Sequence, residues 1–127
     1  MATDKVNNLL SEIVNSQGFI NIDQNDVDIF KTNVDEIDAE RVFGKVEEIG
    51  VILDSTISSI IKRIGDKQIK KLLFVIRLPQ ENNFMEHISN VHDVIDKLDE
   101  KLECQWGLAT IDSLQGNQLE IIVAIGI

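Results

Sequence analysis

Tyrosine is absent from this chain of 127 residues, which also has one proline, one cysteine, one tryptophan and seven glycines. Each shortage excludes something. A lone cysteine, Cys104, rules out an intramolecular disulfide and any zinc site built on cysteines. No two glycines are adjacent, so there is no glycine-rich run whose backbone N–H groups could wrap phosphates closely. Basic residues are few: 12 Lys and Arg stand against 22 Asp and Glu, a net charge of −10. That balance repels nucleic acid, and no basic amphipathic stretch offers a footing on a membrane surface. No stretch approaches the roughly 18 apolar residues of a membrane span, and Met1-Ala-Thr-Asp-Lys5 lacks the apolar run of a signal peptide. The expected location is the cytoplasm. With 43% hydrophobic and 27% charged residues, the composition is that of one soluble globular domain over residues 1–127.

The apolar residues that are present fall into clear periods. Val6, Leu9, Leu10, Ile13 and Val14 mark one face of a helix over 4–16, with Gly18 placed to end it. Asp23 is a suitable N-cap for a short second helix running to Phe30 or Lys31, with Val27 and Phe30 buried. Residues 33–44 read equally as an acidic linker, an edge strand or the opening of the next helix. The helical period returns from Lys45 to Ile64 and closes at Gly65-Asp66. Lys71–Leu78 is a nearly continuous apolar run closed by Pro79, the pattern of a central strand. Phe84, Ile88, Val91, Ile95 and Leu98 predict a helix over 83–100. Strands follow at Cys104–Ile111 and Leu119–Ile127, with a turn at 112–117 suited to a hairpin with a longer loop. The expected fold is α/β (α+β): a two-layer sandwich, with helices on one face of a small mixed sheet of three or four strands. A parallel crossover through the helix at 83–100 joins its inner strands.

With these elements placed, four stretches resemble FtsZ, the bacterial tubulin relative, in its C-terminal, activation-type domain and the central helix before it. Gly18-Phe-Ile-Asn-Ile-Asp-Gln-Asn-Asp-Val27 is similar to the family's Gly-Leu-Ile-Asn-Val-Asp-Phe-Ala-Asp-Val loop. Ile57-Ser58-Ser59 resembles an Ile-Ser-Ser near the end of the long helix, and Leu73-Phe-Val-Ile-Arg-Leu-Pro79 stands where the family has its first central strand. Trp106-Gly-Leu-Ala-Thr-Ile-Asp112 and Glu120-Ile-Ile-Val-Ala-Ile-Gly126 resemble its closing hairpin. The likeness divides the chain into a central-type helix at 4–17, a synergy-type loop at 18–26 and an α/β sandwich at 27–127. The family's glycine-rich phosphate loop, which belongs to an N-terminal GTP-binding domain, has no counterpart here. Acidic residues at 35–40 replace the Gly- and Met-rich stretch after the family's loop, and the family's C-terminal tail has no match.

In the family, the loop's carboxylates reach the GTP held by the next subunit, orienting the attacking water and a cation. The resemblance puts Asn21, Asp23 and Asp26 in those places. The bland reading is that Asp23 caps a helix and Asp26 is a first-turn acid favoured by the helix dipole, and both readings can hold together. His87 and His92, five apart, lie about 140° apart on a helix and make no metal pair. The acidic face formed by Glu86, Asp93, Asp96, Asp99, Glu100 and Glu103 reads as solvated, Trp106 as core, and Cys104 as a buried structural thiol.

No autonomous active site, cofactor or metal is expected. The expected role is that of a non-enzymatic FtsZ/tubulin C-terminal-like interaction module in bacterial cell division, capping or modulating polymerisation and GTP hydrolysis of an FtsZ-like partner. The alternative is a repurposed α/β module that binds a small ligand or associates with itself through helix 4–16. That helix's apolar face must be covered by the chain's own sheet or by a second copy.

Overall fold

The computed structural model describes residues 4–16, 18–65, 68–79, 88–98 and 101–127. Helix α1 spans Asp4–Asn15, and strand β1 spans Gly18–Ile20. Helix α2 follows at Gln24–Phe30 and strand β2 at Ile37–Lys45. A 3-10 turn at Val46–Glu48 leads into α3, Ile49–Ile64. Strand β3 is Lys71–Leu78, α4 is Ile88–Asp96, β4 is Glu103–Thr110 and β5 is Gln118–Gly126. The expected helix over 83–100 is thus described from Ile88, and Phe84, Glu86, His87, Asp99 and Glu100 lie outside the described residues. Residues 37–44, part of the stretch that sequence left open, form an edge strand with Lys45, which was expected to open the helix that instead begins at Ile49 after the 3-10 turn.

The strands form one mixed sheet in the order β1-β4-β3-β5-β2. Strand β3 runs parallel to β4 and antiparallel to β5, so the crossover through α4 joins neighbours as expected. The hairpin expected of the last two strands does not form. Strands β4 and β5 flank β3 on opposite sides, and 111–117 carries the chain across its end. A turn-rich stretch between apolar strands fits either route. What decides is that β3, apolar on both faces, buries most when it has a neighbour on each edge.

Alternation along β3 and β5 divides the core in two. Leu72, Phe74, Ile76 and Leu78, with Ile121, Val123 and Ile125, meet α3 and α4 through Leu53, Ile57, Ile60, Val91 and Val94. Leu73, Val75, Ile122 and Ala124 face the other way, onto Val6, Leu9, Leu10 and Ile13 of α1 and Val27 and Phe30 of α2. The α+β class and the mixed sheet with α3 and α4 layered on it are as expected. The helices are not confined to that face, because the period-2 apolar strands have two sides to cover. Helix α1 therefore spends its apolar stripe on the chain's own sheet: its four buried side chains are at most 6% exposed. Each contributes about 1.5–3 kcal/mol of burial. Val14, the last residue of that face, is half-buried, so the chain's own sheet covers most of what the expected self-association through helix 4–16 would use.

Helix α3 ends at Gly65, whose φ of 69° suits a residue without Cβ. Among the described residues no helix is long and apolar enough to cross a membrane.

Candidate functional site

Loop 18–26 runs through β1 into the first turn of α2, at the β1 edge of the sheet. It is held close to the backbone of β4. A Cβ on Gly18 would lie 2.6 Å from the Cα of Ala109, and one on Gly107 would lie 2.9 Å from the carbonyl oxygen of Ile20. Glycine on both sides lets β1 approach β4 at the paired positions Gly18–Ala109 and Ile20–Leu108. Ile22, buried between the polar loop residues, anchors the turn in the α1/α2 core.

Of the three polar residues singled out by sequence, Asp23 and Asp26 are brought together while Asn21 turns back to Gly18, and each has a local task. Asn21 accepts through Oδ1 from the Gly18 N–H at 2.8 Å, folding the loop back on the start of β1. Asp23 is the N-cap of α2 and accepts from the Asp26 N–H at 2.9 Å. Asp26 answers by accepting from the Asp23 N–H at 3.1 Å. The pair is a reciprocal capping box, which satisfies two otherwise free donors at the helix start. Asn21 and Asp23 are exposed, and Asp26 is half-buried. The box engages one oxygen of each carboxylate. The arrangement presents a negatively charged, hydrogen-bond-accepting corner held by two reciprocal hydrogen bonds.

The far end of α2 is fixed by a residue that sequence reading passed over. Lys71 opens β3, is only 7% exposed, and donates from Nζ to the Ile29 carbonyl at 2.6 Å and to Thr32 Oγ1 at 3.0 Å. A cation at the carbonyl end of a helix is favoured by the helix dipole. A second unanticipated group ties α1 to the sheet. Glu120, with a side chain 6% exposed, pairs with Arg77 Nη1 at 2.7 Å and with Arg41 Nε at 3.5 Å. Glu12 of α1 pairs with Arg41 and lies 3.8 Å from Arg77. The available signal was one arginine and one glutamate of opposite charge, each inside an apolar strand.

The other candidates stay apart from the loop. Trp106, half-buried rather than fully in the core, stacks on Phe74 with ring centroids 5.9 Å apart, and it makes a T-shaped contact with the His92 ring at a centroid distance of 5.8 Å. Cys104 is half-buried, and its surroundings push its thiol up to about 11 by desolvation. Among the described residues no group of three or more His, Cys, Asp and Glu side chains could hold a metal ion.

Neither the protein-family models nor the curated proteins include a match to this chain. Solved structures do match. An empty FtsZ dimer from M. jannaschii superposes with a TM-score of 0.65 at 17% identity, over 93% of this chain and 34% of that one. A tryptophan-to-tyrosine variant of M. jannaschii FtsZ gives 0.68 at 20% identity, over 93% and 36%. The chain thus spans about a third of the length of the FtsZ chains it matches. That share accords with the C-terminal portion named by the sequence resemblance, and the conclusion is one of architecture: these residues have the FtsZ fold over that third.

Proposed function

We propose that this chain is a non-enzymatic interaction module of the FtsZ/tubulin C-terminal type. In this reading loop 18–26 docks on the nucleotide face of an FtsZ-like partner and caps or modulates its polymerisation and GTP hydrolysis. The observation that carries the reading is the capping-box corner, with Asp23 exposed and Asp26 beside it, on the fold of FtsZ. A carboxylate set rigidly at a surface can orient a water or a cation near a phosphate without reorganising at the moment of reaction. The phosphate itself must be held by the partner, because these residues contain no glycine-rich cradle.

The test is sedimentation and GTPase rate of an FtsZ-like protein from the same cell, with and without this chain. The expected result is altered polymer mass together with an altered rate of hydrolysis. No effect on either at stoichiometric excess would sink the idea. Asp23→Asn with Asp26→Asn keeps side-chain oxygens able to cap the helix while removing both charges. The double variant should still bind the partner and should lose any stimulation of hydrolysis.

A further inference from the structure

Strand β2 carries a feature for which the loop has no use. It pairs with β5 through nine consecutive positions with no shift of register, and among the described residues no strand lies on its other edge. A long, regular open edge is a template for another strand. The Ala39 N–H donates to the Asp38 carboxylate at 2.9 Å. Backbone groups of a strand alternate between its two edges, so Arg41, Phe43 and Lys45 present their amides the same way as Ala39. Beside this edge Phe43 is 65% exposed. On the opposite face an open groove of about 280 Å³ runs between Glu40 and Val42 of β2 and Ser55, Thr56, Ser59 and Arg63 of α3, with Arg63 paired to Glu40 at 2.6 Å.

We propose that two copies of this chain join by antiparallel pairing of their β2 strands centred on Val42, merging two five-stranded sheets into one. Paired residues in antiparallel strands share a face, so a symmetric pairing must centre on one residue. Centring on Glu40 or on Arg41 sets like charges opposite each other, which destabilises the pair. Centring on Phe43 sets Arg41 against Lys45 of the second copy. Centring on Val42 avoids these clashes: Arg41 faces Phe43 of the second copy, Glu40 faces Gly44, and Ala39 faces Lys45. The Arg41–Phe43 contact occurs twice by symmetry and brings a guanidinium to an aromatic ring. The groove beside Val42 receives Val42 of the second copy. This interface lies at the opposite end of the strand order from loop 18–26, so it stands or falls apart from the reading of that loop.

Sedimentation equilibrium of the whole chain from about 10 µM to about 1 mM covers the range of weak but specific association. The expected result is a concentration-dependent dimer, with backbone amide exchange at Arg41 and Phe43 slowing as dimer forms. Phe43→Lys sets a like charge against Arg41 twice and should weaken the dimer by about tenfold or more. Phe43 is exposed, so the variant's circular dichroism should match the parent, and Phe43→Trp, which keeps a ring, should dimerise. A parent that stays monomeric throughout would overturn the proposal. So would a dimer indifferent to Phe43→Lys, or exchange at β2 that ignores concentration, since either places the contact elsewhere.

Discussion

At the scale of single residues, one glycine and one thiol carry the clearest consequences. Gly18 faces backbone, not a movable side chain, so the Cβ of Gly18→Ala cannot be accommodated unless β1 shifts away from β4. The expected cost is about 1–3 kcal/mol in urea unfolding. Cys104 should react slowly with thiol reagents at neutral pH, because desolvation holds it protonated. Its pKa lies above the ordinary value of 9.0, at about 11, so the folded state keeps a proton that the unfolded chain gives up. Stability is therefore unaffected by this group below pH 9.0 and falls as pH rises from there towards about 11. Replacing Cys104 with Ser should remove that alkaline component from a pH series of unfolding curves. The capping residue Asp23 was legible because an N-cap is a local pattern. Lys71 was not: its partners Ile29 and Thr32 lie some forty residues earlier, where spacing says nothing.

At the scale of elements, the apolar periods located α1, α2 and the three long inner strands to within a residue or two, whereas the helix read from Lys45 begins at Ile49 and the one read to residue 100 ends at Asp96. Lys71–Leu78 was read with its observed bounds, because both of its faces are core. Strand β2 was not readable, since as an edge strand only Ala39 is fully buried and its charged residues imitate a linker. Periodicity also could not order the strands, which is why β4 and β5 were read as a hairpin. The link between α1 and the sheet depends on a charge set in apolar surroundings. Removing one member of a buried pair leaves the others uncompensated, which costs about 3–5 kcal/mol. Glu120→Ala, which removes the buried carboxylate and leaves Glu12 as the acid beside Arg77 and Arg41, should therefore lower the urea midpoint well beyond what a surface glutamate would. Glu120→Gln should be milder, since a neutral acceptor for both guanidinium groups remains.

At the scale of the whole molecule, two cores share one sheet, and the sheet's outermost long strand depends on a single neighbour. Strand β2 touches the rest of the sheet only through β5, although more than seventy positions separate their paired residues. Such distant pairings make folding slow, and refolding followed by Trp106 fluorescence should fall in the range of roughly milliseconds to seconds. A burst finished within microseconds would contradict that expectation. During synthesis the same connectivity imposes an order of events. Strand β2 leaves the ribosome early and has no ladder to join until residues 118–126 have followed it out. For that interval both of its edges are open, and Phe43 is offered to any extended segment nearby. A chaperone that shields this stretch until β5 arrives should raise the yield of folded chain more than one acting on α1, whose contacts with the sheet come only afterwards.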